Sequence, residues 1–199
     1  MFSGIIEHLG TVKKLESEGT NLHLYMQANF GEALYIDQSI AHNGVCLTIV
    51  ELFDDGYKVT AIEETLKLTN LGSLKIGELV NIERCITPNK LLDGHLVQGH
   101  VDSTAQIIDI KTMDGSWYFS FSLDAQNANL VVSKGSITVN GVSLTVVEPS
   151  LETFKVAIIP YTFEHTNFHQ FKIGDTVNLE FDIIGKYVVR QMEAYTNKI

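Results

Sequence analysis

The sequence repeats itself at a fixed interval, and that interval limits what the chain can become. Ser39-Ile40-Ala41-His42-Asn43-Gly44-Val45-Cys46-Leu47-Thr48 returns as Ser136-Ile137-Thr138-Val139-Asn140-Gly141-Val142-Ser143-Leu144-Thr145, a displacement of 136 − 39 = 97 residues. A second block, Thr65 to Glu83, returns as Thr162 to Glu180 at the same displacement, 162 − 65 = 97. Its best match sets Lys75-Ile76-Gly77 and Val80-Asn81-Ile82-Glu83 against Lys172-Ile173-Gly174 and Val177-Asn178-Leu179-Glu180. Unrelated similarities would not share a register, so the chain carries a duplicated domain. The period is well above the roughly 20–50 residues of a solenoid, and each copy is long enough for its own core. The expectation is two barrels or sandwiches in tandem.

Short β-branched runs separated by turn residues fill both copies. The first has Leu22 to Met26, Val45 to Val50, Lys58 to Ile62 and Leu79 to Glu83; the second has Trp117 to Leu123, Val142 to Val147, Phe154 to Ile159 and Val177 to Phe181. Leu79-Val80-Asn81-Ile82-Glu83 alternates apolar and polar residues, the period of a half-buried strand. Asp54-Asp55-Gly56 reads as a hairpin turn. Together these signals predict an antiparallel sandwich or small Greek-key barrel in each half. Glu64 to Leu71 and Glu164 to Phe168 are expected to form a helical turn each. Ile184, Tyr187, Val188, Gln191, Met192 and Tyr195 fall on one helical stripe, which must fold back or meet another subunit. Thr87-Pro88-Asn89-Lys90 breaks the strand pattern and marks the connection between copies. The expected division is 1–90 for the first barrel, 91–183 for the second and 184–199 for a terminal helix.

A net charge of −10 leaves no basic stripe for a nucleic-acid backbone. No apolar run approaches the ~20 residues of a membrane span, and the start of the chain lacks the basic and apolar regions of a secretory signal. The two cysteines are too few for a disulfide framework and have no metal-ligand spacing. A reducing cytoplasm is the expected compartment, with no metal, nucleic-acid or membrane partner.

Each Asn-Gly pair (Asn43-Gly44, Asn140-Gly141) permits positive φ and marks a tight turn. Two positions beyond each Gly stands a small nucleophile-capable residue, Cys46 or Ser143. Strand alternation puts Cys46 with Thr48, and Ser143 with Thr145, on one face. A buried Cys is usually an inert small hydrophobe, so Cys46 taken singly reads as structural. The other dense polar cluster is Gly94-His95-Leu96-Val97-Gln98-Gly99-His100-Val101-Asp102. Its His-x4-His spacing is not that of a zinc helix, and composition alone favours a structural role for both histidines. Aligning Gly99 to Asp102 with Gly4 to Glu7, at 99 − 4 = 95, makes this cluster the start of the second copy and sets His100 against Ile5.

Taken in order, Met1-Phe2-Ser3-Gly4-Ile5-Ile6-Glu7, Asn43 to Thr48, Glu64-Thr65 with Thr69 to Gly72, Gly94 to Asp102, and Lys134 to Ile137 with Asn140 to Thr145 resemble the riboflavin synthase family of the alpha-chain type. The likeness spans essentially the whole chain. It implies an all-β fold of two tandem six-stranded Greek-key barrels plus a C-terminal α-helix through which three chains associate. It also implies a dismutation without cofactor, in which two molecules of 6,7-dimethyl-8-ribityllumazine exchange a four-carbon unit. The products are riboflavin and 5-amino-6-(ribitylamino)uracil. Association with a lumazine synthase is a further partner expectation of the resemblance.

By the same resemblance, ring and ribityl contacts are expected from Gly4, Ile5, Ile6, Cys46, Leu47, Thr48, Thr60, Ala61, Ile62, Glu63, Glu64 and Thr65. The second set is Gly99, His100, Val101, Lys134, Ser143, Leu144, Thr145, Ala157, Ile158, Ile159, Pro160, Tyr161 and Thr162. His100 is the candidate for proton transfer. It is grouped with Ser143 and Thr145 in the second barrel, while Cys46 and Thr48 do the corresponding work in the first. Asn140 stands where some family members have Asp, which puts in question any mechanism that needs a carboxylate there; Asp182, just past the last strand, is a candidate substitute, with an ordinary exposed acid an equally good reading of it. A chromophore carrier of the same fold is the rival reading, disfavoured because His100, Ser143, Thr145 and Cys46 are all kept. A bare interaction module would leave the matched polar positions unexplained.

Overall fold

Period-two patterning becomes strands over most of the chain. The computed structural model describes residues 1–28, 30 and 33–196. The first copy forms β1 (His8–Glu18), β2 (Asn21–Gln27), β3 (Ser39–His42), β4 (Val45–Phe53), β5 (Gly56–Ala61) and β6 (Leu79–Arg84). The second forms β7 (Ser103–Met113), β8 (Ser116–Ser122), β9 (Ser136–Val139), β10 (Val142–Val147), β11 (Thr153–Ile158) and β12 (Thr176–Phe181). Each set closes into its own antiparallel barrel, β1-β2-β5-β4-β3-β6 and, in the same circular order, β7-β8-β11-β10-β9-β12. Three hairpin-connected strands (β3-β4-β5 and β9-β10-β11) with a fourth returning beside the first give Greek-key winding. The expected two-barrel, all-β fold is the one observed.

Closure depends on bent first strands. β1 shifts register between Val12 and Lys14, and β7 does so between Ile107 and Asp109. An inserted residue bends a strand and tightens its twist, and a closed sheet has no unpaired edge. The same bulges break the alternation of side chains, which is why β1 and β7 are hard to read from sequence. Inside, the first barrel packs mainly aliphatic side chains such as Leu24, Met26, Ile40, Ile49 and Val59 around Tyr57. The second is filled by Phe119, Phe121, Phe154, Phe168 and Phe181, each contributing roughly 1.5–3 kcal/mol relative to exposure.

Short helices α1 (Glu63–Leu68) and α2 (Pro160–His165) follow β5 and β11, each leading into a 3-10 turn. The second starts earlier than its expected span because Pro160 occupies the first turn, where its fixed φ suits a helix and no N–H is needed. The C-terminal helix α3 (Ile183–Thr196) begins at Asp182, whose carboxylate accepts the Ile184 N–H at 2.9 Å. Ile184, Tyr187, Val188, Met192 and Tyr195 are all exposed along it. Residues 197–199 of the expected terminal helix lie outside the described residues. No helix among the described residues is long and apolar enough to cross a membrane.

The barrels meet about a pseudo-twofold axis. The Asn-Gly turns abut there: Asn43 and Asn140 have φ of 46° and 45°, and both glycines have 81°. A Cβ on Gly44 would come within 2.8 Å of the Gly141 nitrogen, and the converse within 2.7 Å. Six buried asparagines then bond reciprocally. Asn81 Nδ2 donates to the Asn140 carbonyl and Asn178 Nδ2 to the Asn43 carbonyl, both at 2.9 Å. Asn167 Nδ2 donates to Asn43 Oδ1 at 3.0 Å and Asn70 Nδ2 to Asn140 Oδ1 at 3.1 Å. Such a network is stable only when every member is satisfied, and no buried side-chain polar atom of the described residues lacks a partner.

Candidate active site

Side chains fill both barrel interiors, so the polar strand positions must act on the outside. Along β4, Val45, Leu47 and Ile49 are buried, Cys46 is half-buried and Thr48 exposed. Along β10, Val142 and Val146 point inward while Ser143 is half-buried and Thr145 exposed. Alternation therefore aligns Cys46 with Thr48 and Ser143 with Thr145, as expected. Several expected contact residues can offer only backbone: the Leu47, Ala61 and Ile158 side chains lie in the cores, and Leu144 packs against one. Ile62, Glu63, Glu64, Ala157, Ile159, Pro160 and Tyr161 are exposed, with Thr65 and Thr162 half-buried beside them. The Thr60 hydroxyl lies 2.9 Å from His23 Nδ1. Lys134 is exposed at a corner with φ of 64°.

The leading segments of the two copies cross over. The Ser143 N–H donates to the Gly4 carbonyl at 2.8 Å, and the Cys46 N–H donates to the Gly99 carbonyl at 2.9 Å. Between them Phe2 and Val97, equivalent positions of the two copies, bond to each other as an isolated antiparallel bridge. Gly4, Ile5 and Ile6 thus flank the second barrel's strand, and Gly99, His100 and Val101 flank the first barrel's. This corrects the grouping of His100 with Ser143: the His100 backbone lies next to the Cys46 strand. Repeat alignment shows which residues correspond, but not which barrel a segment leans on.

Two buried carboxylates hold these segments. Glu83 accepts from the Ser3 N–H and hydroxyl, both at 2.7 Å, and from the Gly4 N–H at 3.0 Å. Glu180 accepts from the Gln98, Gly99 and His100 N–H groups at 2.6, 2.9 and 2.9 Å. Burial pushes both carboxyls above the usual range, while the donated hydrogen bonds pull the other way.

The residue that joins Ser143 is His95. Its Nδ1 lies 2.7 Å from Ser143 Oγ and its Nε2 3.3 Å from Thr138 Oγ1, and its backbone N–H donates to the Ser3 carbonyl at 3.1 Å. Burial holds this imidazole below its ordinary pKa, with the Asp182 charge opposing. In the first barrel the corresponding nucleophile-capable group, the Cys46 thiol, is pushed up by burial and bonded by Ser39, which lowers it. Composition favoured a bland role for His95, and the repeat could not flag it, because at the 95-residue offset it precedes the first residue of copy one. Asn140 is buried, its Oδ1 accepting the Asn178 N–H at 2.7 Å and Asn70 Nδ2 at 3.1 Å. Its amide therefore serves the interface between barrels. Asp182 serves as the cap of α3.

Paired barrels with crossed leading segments and a polar strand on each outer wall define a class. The Lumazine binding domain family matches twice, over residues 3–85 and 98–182. Two solved structures of LumP share the fold. The complex with riboflavin gives a TM-score of 0.85 at 22% identity, covering 92% of this chain and 100% of that one. The complex with 6,7-dimethyl-8-(1'-D-ribityl) lumazine gives 0.83 at 20%, covering 92% and 99%. The riboflavin synthase of Bacillus subtilis (strain 168) is 39% identical over 96% of this chain and 89% of its own length. That of Mycobacterium bovis (strain ATCC BAA-935 / AF2122/97) is 40% identical over 98% and 99%. The chain belongs to the riboflavin synthase family.

Proposed function

We propose that each chain offers two substrate positions, one on the outer wall of each barrel, and that they serve the family reaction: two molecules of 6,7-dimethyl-8-ribityllumazine give riboflavin and 5-amino-6-(ribitylamino)uracil. The chain is then a transferase, and the two products together hold every atom of the two substrates. The observation that carries the reading is the matched pair of outward polar residues, Cys46 with Thr48 and Ser143 with Thr145, each beside a leading segment from the other barrel. Two identical substrates suit two related positions.

The C7 methyl of the lumazine is acidic because its carbanion delocalises into the ring, so the protein has chiefly to orient two rings and handle protons. We assign Ser143 and His95 as a paired unit. A neutral imidazole 2.7 Å from the hydroxyl can take its proton as the oxygen adds at C7. His100, on the segment beside Cys46, is assigned to proton transfer at the first barrel. Gly4 to Ile6, Lys134, Leu144, Thr145 and Ala157 to Thr162 complete the second position. Leu47, Thr48, Thr60 to Thr65, Gly99 and Val101 complete the first. Incubating the purified protein with 6,7-dimethyl-8-ribityllumazine alone should generate riboflavin absorbance; its absence would sink the reading.

The exposed stripe on α3 is assigned to a homotrimer, in which the first barrel of one chain faces the second barrel of the next. Ending the chain after residue 183 should give monomers in sedimentation, and a trimeric truncated chain would refute the assignment. A cytoplasmic location accords with two free cysteines, Cys46 and Cys85. Association with lumazine synthase stays a family expectation, open to co-sedimentation.

A further inference from the structure

Glu83 and Glu180 each bind the leading segment of their own copy, and each of those segments lies against the other barrel. Glu83 belongs to β6 of the first barrel, yet it fixes Ser3 and Gly4, and the Gly4 carbonyl receives the N–H of Ser143. Glu180 belongs to β12 of the second barrel, yet it fixes Gln98, Gly99 and His100, and the Gly99 carbonyl receives the N–H of Cys46. We propose that Glu83 and Glu180 are reciprocal positioning residues, each holding the backbone that walls the substrate position on the other barrel. The inference rests on the reading that these two positions bind substrate.

The local geometry is built for this. Gly4 and Gly99 have φ of 77° and 81°, a conformation that lets successive N–H groups converge on one anion. Here the anion is the protein's own carboxylate. Space enforces the same choice of residue. A Cβ on Gly4 would lie 2.5 Å from the Ser143 Cβ, and one on Gly99 2.7 Å from the Cys46 Cβ. The leading segments therefore lie flush against the reactive strands, and the carboxylates bind the N–H groups that orient them there. His100 is the clearest beneficiary: Glu180 holds its backbone N–H, which fixes the origin of its imidazole. Displacements of about 1 Å in a positioned group can cost about a hundredfold in rate.

Glutamine is the informative replacement, because it keeps the shape but turns one acceptor into a donor facing a backbone N–H. The probe is riboflavin, and the readout is riboflavin-dependent protection of backbone amides from hydrogen exchange, titrated to give an affinity at each position. Glu180→Gln should weaken binding by roughly tenfold or more, read at residues 46–48 and 99–101, and change it by less than about twofold at residues 4–6 and 143–145. Glu83→Gln should give the mirror image. Turnover should fall in both variants, since both positions must be filled. Should a glutamine variant fail to fold, Glu→Asp keeps the charge one methylene short and is expected to give the same crossed pattern more weakly. Losses confined to each glutamate's own barrel, or shared equally by both, would overturn the proposal. Wild-type protein that neither binds riboflavin nor converts the lumazine would refute the functional reading instead, whatever the variants do.

Discussion

Where the first barrel buries His42 against Tyr57, with Nε2 2.8 Å from the phenol oxygen, the second has Val139 and Phe154 at the matching positions. Leu24, Met26 and Leu71 of the first core correspond to Phe119, Phe121 and Phe168 of the second. The shared interface has not diverged in this way. Asn43, Asn70 and Asn81 correspond to Asn140, Asn167 and Asn178 without a substitution, and they bond across the seam. A private core can be refilled by any set of side chains with the right volume. A residue on a symmetry axis must satisfy a partner in the other copy, so changing one strands the other. The walls proposed to bind substrate fall between these extremes: Cys46 corresponds to Ser143, and Ile5 to His100.

That last asymmetry gives the largest expected effect. If the second barrel's hydroxyl–imidazole pair does chemistry, Ser143→Ala and His95→Gln should each lower kcat by roughly 10–10⁴-fold. Their combination should cost little more than either alone, since paired residues act as a unit. Cys46→Ser makes the first strand match the second and should be mild. His100→Gln should also fall within the roughly 10–10⁴-fold range. Steady-state kinetics with the lumazine would check all five variants, and a severe loss from Cys46→Ser would move the chemistry to the first barrel.

Acid should separate the two cores next. Burial lowers His42 from 6.5 to about 4. Below the unfolded value the unfolded chain therefore binds a proton that the folded barrel refuses. Stability is lost as pH falls from about 6.5 towards about 4, by on the order of 3 kcal/mol in total. The raised carboxyls of Glu83 and Glu180 act in the opposite sense, and do so in both barrels alike. Amide exchange at pH 7 and at about 4.5 should show the first barrel opening preferentially. Changing His42→Val together with Tyr57→Phe copies the second core and should abolish the preference. If the double variant still opens at the first barrel, the comparison of cores is wrong.

The smallest effect tests sameness. Thr69 and Thr166 each accept from the N–H two residues on at 3.3 Å and donate to a carbonyl four residues back at 2.7 Å. Thr69→Ala and Thr166→Ala should each cost about 1 kcal/mol and agree within roughly 0.5 kcal/mol. Thermal or denaturant unfolding would reveal any difference, which would mean that the frames are less alike than their bonds.

By itself the sequence determined the duplication, the strand faces, and the family. Constant offsets and period-two alternation are local properties, and they put Cys46 with Thr48 and Ser143 with Thr145 before any coordinates are known. The folded chain alone decided which segment completes which wall. The crossing of Gly4 to Ser143 and of Gly99 to Cys46 comes from the docking of one barrel on the other, which no local pattern encodes. It moved His100 from the second barrel's strand to the first's, brought His95 to Ser143, and turned Asn140 from a questioned catalytic position into an interface bond. The long strands β1 and β7 escaped the pattern for a related reason. Their bulges exist to close a barrel, and closure is a property of the whole sheet rather than of any window along it.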